Sequence, residues 1–272
     1  MTPFKDKVVI VTGGGAGIGR AICEALGREG AILIVADVNG TNAAKVADGI
    51  VCFGGRASAT TVDVSREEDV AQMIEETAAA EGRIDYVFNN AGIAIGGDAR
   101  DLTLEQWRRV MEVNWNGVLY GSVFAYKVMA RQGFGHIVNT ASATGILPQP
   151  GNAPYCASKH AVVGLSQSLR FEGVDLGVKV SVVCPGRVAT DIYKSMTVIN
   201  VDREKVLSNP KEPPISGMTA AKHILDGVRR NRDLIVFPVK VRWAWRLYRL
   251  FPQLLNGRWL ASIRKLRRLR SA

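Results

Sequence analysis

Short apolar runs alternate with segments of helical periodicity along most of the chain, and this alternation restricts the possible folds more than any other feature. We predict strands at residues 8–11, 32–36, 58–62, 86–88, 137–140, 180–183 and 234–237. In the segments between them, apolar residues recur every three or four positions, as at Ile18, Ile22 and Leu26. This alternation predicts an α/β fold, in which one doubly wound domain has a mostly parallel seven-stranded sheet with helices on both faces.

Two predicted helix starts carry the pattern of a capping box. In this pattern, a hydroxyl side chain and a polar side chain three residues later each bond to the other's backbone N–H. The pairs are Ser65 with Glu68 and Thr103 with Gln106. We therefore expect a helix to begin at each pair.

A glycine-rich turn follows the first predicted strand. Residues 12–19 read Thr-Gly-Gly-Gly-Ala-Gly-Ile-Gly and lead directly into a predicted helix. Glycines let the backbone turn tightly and approach a pyrophosphate, which the N–H groups and the positive dipole end of the helix would bind. Asp37 lies eighteen positions after Gly19, where a carboxylate suits the ribose hydroxyls and would repel a 2′-phosphate. The pattern favours NAD over NADP, and the alternative is that Asp37 is a solvated turn residue.

The net charge of +10 comes from one end of the chain. Residues 240–272 contain ten Lys or Arg and no Asp or Glu, so residues 1–239 carry no net charge. This distribution argues against nucleic acid as a partner. We divide the chain into a main domain of residues 1–239 and a basic, amphipathic, helical C-terminal extension of residues 240–272.

The extension allows three interpretations. Its apolar residues, among them Trp259, Ile263 and Leu266, recur at three- and four-residue spacings with arginines between them. A basic amphipathic helix with tryptophan is typical of peripheral contact with an anionic membrane surface. Such a helix could also pack on the main domain and cover a substrate cleft, or form a subunit contact.

Cysteines and histidines show no metal-binding pattern. Cys23, Cys52, Cys156 and Cys184 lack CxxC spacing, and the 3 histidines do not cluster with them. We therefore expect reduced thiols and no metal site. The N-terminus lacks the features of a signal peptide, and no apolar run approaches the ~18 residues of a membrane span. We expect a cytoplasmic protein, with peripheral membrane association as the alternative that the extension leaves open.

Further motifs follow in order along the chain. They are Asp63-Val64 after the third predicted strand, Asn89-Asn90-Ala91-Gly92 after the fourth, Asn114 in the next helix, Ser142 after the fifth strand, Tyr155-x-x-x-Lys159, and Pro185-Gly186 with Val188 and Thr190 after the sixth. With the glycine-rich turn, they resemble the short-chain dehydrogenase/reductase family over about residues 7 to 191. The resemblance implies a Rossmann fold, NAD-dependent hydride transfer between an alcohol and its carbonyl compound, and a homodimer or homotetramer.

The resemblance also implies roles for individual residues. Tyr155 would be the general acid/base, and Lys159 would hold the nicotinamide ribose. Ser142 would orient the substrate oxygen, and Asn114 would bind a water that links Lys159 to solvent. The residues implied in cofactor binding are Gly13, Gly17, Ile18, Gly19, Asp37, Asp63, Val64, Asn90, Ala91, Gly92, Tyr155, Lys159, Pro185, Gly186, Val188 and Thr190.

The spacing of Tyr155 and Lys159 supports this chemistry on physical grounds. Residues four apart on a helix share one face and can meet. A nearby ammonium favours the phenolate and brings the tyrosine pKa down from ~10 toward the working range. Each candidate also has a structural alternative: a surface Tyr–Lys pair, a serine that caps a loop, or an asparagine that satisfies backbone groups.

The substrate pocket of this family is usually formed by the segments after the fourth, fifth and sixth strands, here including a loop of about residues 187–215. These segments are mostly apolar and contain Ile93, Ala94, Ile95, Ile146, Leu147, Pro148, Tyr193, Met196, Val198 and Ile199. This composition predicts a lipophilic secondary alcohol or ketone as the small-molecule substrate. Arg187 would instead suit an anionic substrate, and a core role for the apolar residues would leave the substrate open.

Two alternatives to an NAD-dependent alcohol dehydrogenase are considered. One is an NADP-dependent carbonyl reductase, which Asp37 disfavours. The other is a noncatalytic dinucleotide-binding protein docked by its basic extension, which the combination of Ser142 with Tyr-x-x-x-Lys disfavours.

Overall fold

The computed structural model describes residues 3–190, 192–202, 204 and 213–270. Its strands are β1 Val8–Thr12, β2 Ile32–Asp37, β3 Arg56–Thr61, β4 Tyr86–Asn89, β5 Ile95–Gly96, β6 Gly135–Thr140, β7 Val178–Pro185, β8 Thr197–Val198 and β9 Leu234–Phe237. Its α-helices are α1 Gly17–Arg28, α2 Gly40–Cys52, α3 Glu67–Glu81, α4 Leu104–Met111, α5 Gly117–Gln132, α6 Ala153–Glu172, α7 Ile192–Ser195, α8 Gly217–Arg229, α9 Val239–Leu250 and α10 Asn256–Arg268.

Seven strands form one parallel sheet in the order β3-β2-β1-β4-β6-β7-β9, which confirms the predicted doubly wound fold. The chain winds outward from β1 to β3 and then returns to β4 on the other side of β1. The loops after β1 and β4 therefore diverge at this switch point and leave a crevice at the carboxyl ends of the strands. A second, two-stranded parallel sheet of β5 and β8, which we did not predict, joins the segments that follow β4 and β7.

Helices cover both faces of the large sheet, as predicted. Val9 and Val11 of β1 pack in a buried cluster with side chains of α1, α2 and α8. Val8 and Ile10 point to the opposite face, where they pack with α3 and α5. All of β1 is buried, so the strand that carries the glycine-rich turn is anchored from both sides and ends in a fixed place.

One of the two predicted capping boxes is confirmed. The Oγ1 of Thr103 accepts a hydrogen bond from the backbone N–H of Gln106, whose side chain accepts one from the backbone N–H of Thr103. The box at Ser65 is wrong, because α3 begins at Glu67 without a side-chain cap. The Ser65 hydroxyl instead donates to the carboxylate of Asp63 at 2.7 Å.

The basic extension forms the helices α9 and α10. The half-buried Trp245 of α9 packs against a buried cluster on β7 and α6. The apolar residues Trp259, Ile263 and Leu266 of α10 are also half-buried. Of the three interpretations of the extension, packing on the main domain is thus the one found for the last helix. Within the described part of the chain, no helix is both long enough and apolar enough to cross a membrane.

Candidate active site

In the turn after β1, the backbone approaches both the start of α1 and the loop after β4 so closely that only glycine fits. Gly13 and Gly17 have φ of +63° and +54°, a region that side chains disfavour. A Cβ at Gly19 would lie 2.1 Å from the carbonyl oxygen of Gly13, and one at Gly13 would lie 2.9 Å from the Cα of Ala91. The turn therefore holds the start of α1 close to the sheet and to the loop after β4.

The N-terminus of α1 opens on the cleft at this turn. Its N-cap is Ala16, which cannot cap with its side chain, and its first turn has no acidic residue. Ala16, Gly17 and Ile18 all line the cleft. The helix therefore presents its positive end to the cleft without a side chain that competes for its N–H groups.

Asp37 ends β2 and lines the same cleft. Its Oδ2 accepts a hydrogen bond from the N–H of Gly15 at 3.0 Å, and its Oδ1 accepts one from Asn39 at 2.9 Å. A carboxylate oxygen can accept more than one hydrogen bond. The backbone thus fixes the carboxylate in place while its oxygens keep capacity for ligand hydroxyls.

The loop after β4 is tied to β1 by Thr12, a residue that the sequence analysis did not select. Its Oγ1 accepts hydrogen bonds from the backbone N–H groups of Asn90 at 3.0 Å and Ala91 at 3.2 Å. The side-chain amide of Asn90 donates to the carbonyl oxygen of Thr12 at 3.2 Å. Thr12 is the first residue of the glycine-rich motif over residues 12–19, and this position was the sequence signal that could have identified it.

Tyr155 and Lys159 meet on α6, as their spacing predicts. The Nζ of Lys159 lies 5.7 Å from the centre of the Tyr155 ring and donates a hydrogen bond to the carbonyl oxygen of Thr140 at 2.8 Å. Lys159 is 2% exposed. This burial lowers the pKa of its ammonium from 10.5 to about 8, so the group is still largely charged at neutral pH.

Ser142 lies at the carboxyl end of the sheet beside this pair. It follows β6, and its Oγ accepts a hydrogen bond from the backbone N–H of Thr144 at 3.2 Å. Its hydroxyl, the Tyr155 ring and Lys159 all line the one cleft. Ser142 thus caps the loop, which is the structural alternative considered for it, and it also lines the cleft.

Asn114 is buried behind the cleft in a π-helical turn, Glu112–Asn116, between α4 and α5. Its Oδ1 accepts from the N–H of Ile93 at 2.8 Å, and its Nδ2 donates to the carbonyl oxygen of Ile93 at 2.9 Å. The Nδ2 also donates to the Oγ of Ser158 at 3.3 Å. Asn114 therefore fixes the loop after β4 to α6.

Most of the predicted site residues converge on this cleft. Those that line it are Gly13, Gly17, Ile18, Asp37, Asn90, Ala91, Gly92, Ser142, Tyr155, Lys159, Pro185, Gly186, Val188 and Thr190. Asp63 and Val64 line a smaller, adjoining cleft that shares Asp37 with the first. Gly19 and Asn114 line neither cleft. Lining residues that we did not predict include Ala16, Thr140, Ala141, Ile192 and Ser195, with Arg109 in the smaller cleft.

Asp63 stays ionised in the smaller cleft. Burial raises the pKa of its carboxyl, but the hydrogen bonds from the hydroxyl and backbone N–H of Ser65 and the charges of Arg109 and Arg66 outweigh this, so the pKa is lowered. The same serine that fails to cap α3 thus fixes this carboxylate.

The predicted substrate segments are only partly placed as expected. Met196 and Ile199 pack on Gly96 and Gly97 in the loop around β5. Ile146 is instead buried in the core with Val162 of α6, so its expected position in the pocket is wrong. The side chain of Tyr193 and residues 191, 203 and 205–212 of the predicted loop lie outside the described residues.

Helix α10 and the residues directly after it contact all three of the predicted substrate segments. Arg267 donates to the Oδ2 of the buried Asp98 at 2.8 Å, and Arg270 pairs with Asp101 in the segment after β4. In the segment after β6, a Cβ at Gly151 would lie 2.8 Å from the Cδ2 of Leu266. In the segment after β7, Val201 forms an antiparallel bridge with Arg270. The hydrogen bond from Arg267 is the main reason why the pKa of Asp98 is lowered.

Comparison with known proteins decides the family. The family model described as "short chain dehydrogenase" matches residues 7–198. This chain belongs to the short-chain dehydrogenase family. It is therefore an oxidoreductase that acts on CH–OH groups.

Individual members of the family resemble the chain over most of its length. Cyclohexanol dehydrogenase of Acinetobacter sp. (strain SE19) is 32% identical over 244 residues, which cover 84% of this chain and 97% of that protein. Meso-2,3-butanediol dehydrogenase of Serratia marcescens is 39% identical over 189 residues, 70% of this chain and 74% of that protein. A short-chain dehydrogenase/reductase from Burkholderia phymatum, solved in complex with NAD, superposes with a TM-score of 0.86 at 28% identity and covers 93% of this chain and 96% of that one.

No group of three or more His, Cys, Asp or Glu side chains that could hold a metal ion occurs among the residues that the structure of this dehydrogenase describes. Cys156, next to the tyrosine, donates from its Sγ to the carbonyl oxygen of Thr144 at 3.1 Å. It packs behind the loop that carries Ser142, in agreement with its expected structural role.

Proposed function

We propose that this dehydrogenase oxidises a lipophilic secondary alcohol to its ketone with NAD as the hydride acceptor. The observation that carries the proposal is the single cleft with two chemically distinct ends. One end holds the Asp37 carboxylate at the glycine-rich turn, and the other holds Tyr155, the Lys159 ammonium and Ser142. The first suits the adenosine ribose of NAD, and the second suits an alcohol that must lose a proton.

The residues present fit the cofactor. Gly13 and Gly19 pack so closely on neighbouring protein atoms that a side chain at either would force the turn apart, and the uncapped start of α1 suits the pyrophosphate. The Asp37 carboxylate suits ribose hydroxyls and repels the additional phosphate of NADP. Asp63 and Val64 would hold the adenine, and Val188 and Thr190 would hold the nicotinamide amide. When bound, NAD supplies the acceptor for the hydride of the carbinol carbon.

The chain's own residues handle the proton. The Tyr155 oxygen would take the hydroxyl proton of the alcohol while the Ser142 hydroxyl holds the same substrate oxygen by a hydrogen bond. The Lys159 ammonium, 5.7 Å from the Tyr155 ring, stabilises the negative charge that this residue needs as a base. The first acceptor of the proton is therefore the Tyr155 oxygen and not a water.

The remaining predicted role, that of Asn114, is consistent with its position. A Cβ at Gly92 would lie 3.1 Å from the Oδ1 of Asn114 and 3.5 Å from the Nζ of Lys159. Both polar atoms therefore lie on the same side of Gly92, and a water between them would bridge them. We assign Asn114 the role of holding this proton-relay water, through the second lone pair of its Oδ1.

The substrate class rests on the apolar composition of the segments around β5 and β8 and on the relatives. Cyclohexanol and 2,3-butanediol, named for two relatives, are both secondary alcohols, and the first is alicyclic. The apolar Leu266 also closes on Gly151 in the segment after β6, so a lipophilic substrate suits the pocket better than an anionic one that Arg187 would select. We also propose that the enzyme is cytoplasmic and forms a homodimer or homotetramer.

The experiment is a substrate panel read at the ~340 nm band of the reduced cofactor. Purified enzyme is tested with NAD and with NADP on cyclohexanol, larger alicyclic alcohols, 2,3-butanediol and a hydroxy acid. We expect kcat/KM to be greatest with NAD and the larger alicyclic alcohols. Turnover of the diol or the hydroxy acid alone would refute the lipophilic class, and a preference for NADP would refute the assignment of Asp37.

A further inference from the structure

Helix α9 exposes an unbroken apolar face. Residues spaced by four, four and three positions lie on one side of a helix. They are Val239, Trp243, Leu247 and Leu250, with exposed fractions of 56%, 62%, 40% and 72%. Leu254, in the 3₁₀ turn Pro252–Leu255 after the helix, is also 67% exposed. We call these five residues the α9 stripe.

The other side of α9 is already occupied by the main domain. Trp245 packs against the buried cluster that includes Val182 and Cys184 of β7. The Cγ2 of Val241 lies 3.0 Å from the position that a Cβ would take at Gly186. Because these residues fix the inner side of the helix, the α9 stripe faces away from the protein.

Positive charge runs along the edge of the α9 stripe. Arg242, Arg246 and Arg249 follow one another at spacings of four and three residues, on the helical row next to the stripe. The guanidinium of Arg246 lies 5.2 Å from the centre of the Trp243 ring. Residues 240–272 contain no carboxylate side chain, whereas residues 1–239 carry no net charge. Four of the ten basic residues of the extension, including these three arginines and Lys240, thus lie on the helix that carries this exposed apolar face.

We propose that the α9 stripe docks the enzyme on the surface of an anionic lipid bilayer. Tryptophan and leucine would enter the boundary between headgroups and acyl chains, and the adjacent arginines would meet the lipid phosphates. A second copy of the chain is a poorer occupant, because a two-fold contact through the stripe would bring the arginine rows together with no carboxylate on α9 to separate them. The proposal concerns binding alone and does not depend on the substrate of the enzyme.

The test is co-sedimentation of the full-length protein with lipid vesicles. One set is phosphatidylcholine alone, and the other contains about 30% phosphatidylserine. We expect the protein to pellet with the anionic vesicles, to stay in solution with the neutral ones, and to be released as salt rises. No substrate is present, so failure of the proposed reaction would not affect the result.

A matched pair of double variants tests the surface itself. Trp243→Ser with Leu250→Ser removes two side chains of the stripe, and Leu104→Ser with Phe171→Ser removes two similarly exposed side chains elsewhere. We expect the stripe variant to bind anionic vesicles at least tenfold more weakly and the control to bind normally. Arg246→Gln should weaken binding about fivefold, which is the effect of one basic residue near such a surface.

Three results of the vesicle assay would overturn the proposal, and a fourth comes from the size of the assembly in solution. The three are an absence of binding by the wild-type protein, equal binding to neutral vesicles, and equal loss in the stripe variant and its control. The mass of each protein in solution is measured by light scattering. If the stripe variant also has a smaller assembly than the wild type, a second copy of the chain covers the stripe and the membrane proposal is wrong.

Discussion

Burial of the Lys159 ammonium costs stability, and replacing Lys159 by methionine should show this. Methionine has a similar length and no charge. The pKa of the lysine is lowered from 10.5 to about 8, and at about 1.4 kcal/mol for each pKa unit the charged form costs about 3 kcal/mol at pH 7. The variant leaves the carbonyl oxygen of Thr140 without its donor, which costs about 1–3 kcal/mol. We therefore expect Lys159→Met to be at least as stable as the wild type at pH 7, although it removes a buried side chain.

The pH dependence makes this prediction sharper. Between pH 8 and 10.5 the lysine is mostly neutral in the folded protein and charged in the unfolded one, so the unfolded state binds more protons and the wild type gains stability as pH rises. Below pH 8 both states are charged and the full cost remains. The stability of the variant relative to wild type should therefore fall by about 1.4 kcal/mol for each pH unit between about 8 and 10.

The assay is urea unfolding of the cofactor-free protein at several pH values from about 7 to 10. Lys45→Met, which changes an exposed lysine of α2, is the control for loss of a lysine at the surface. Activity of Lys159→Met should fall by roughly 100-fold or more, because the charge beside Tyr155 is lost. A difference in stability between Lys159→Met and wild type that does not vary with pH would refute the reasoning.

Three further predictions concern other parts of the molecule. Asp37→Ala should raise KM for NAD at least tenfold, because it removes a partner of the ribose hydroxyls. It should raise KM for NADP much less, because it also removes the repulsion of the 2′-phosphate. An unchanged ratio of the two KM values would contradict this prediction. Asp98→Asn should raise KM for a lipophilic alcohol severalfold with little change in kcat, because Arg267 loses its ion pair and α10 holds the substrate segments less firmly. Burial lowers the pKa of His136 from 6.5 to about 3, so the folded protein resists protonation and loses stability as pH falls below 6.5. In urea titrations, the free energy of unfolding of His136→Gln should fall by about 3 kcal/mol less than that of the wild type between pH 6.5 and about 4.

Features that depend on local sequence were predictable. The seven strands of the sheet, the turn with Gly13 and Gly17, and the meeting of Tyr155 with Lys159 follow from short-range periodicity, backbone preference and helical spacing. Asp37 was placed correctly because it ends an apolar strand. These elements form the end of the cleft at the glycine-rich turn and carry the candidate catalytic residues Tyr155 and Lys159.

Features that depend on which of several possible partners a side chain meets were not predictable. Ser65 has the spacing of a cap, but the nearby carboxylate of Asp63 takes its hydroxyl. Ile146 has the composition of a pocket residue, but the fold buries it against α6. The clasp between Arg267 and Asp98 joins residues 169 positions apart, and no local pattern indicates which acidic residue a basic helix will meet.

The same limit applies to the extension. Its two amphipathic helices have similar composition, but the apolar side of α10 is half-buried whereas the α9 stripe is exposed. The sequence gives both the same amphipathic character. Only the tertiary contacts, such as those of Leu266 and Trp245, show which apolar side remains available.

The central claim is that Tyr155 moves the proton of an alcohol in a cleft that binds NAD, and Tyr155→Phe tests it most directly. The variant keeps the ring and removes only the hydroxyl. Turnover of the best secondary alcohol is followed at about 340 nm, and binding of the reduced cofactor is followed by its fluorescence. We predict that kcat falls by 100-fold or more, as for loss of a general base, while the variant still binds the reduced cofactor. Retention of kcat in this variant would contradict the account.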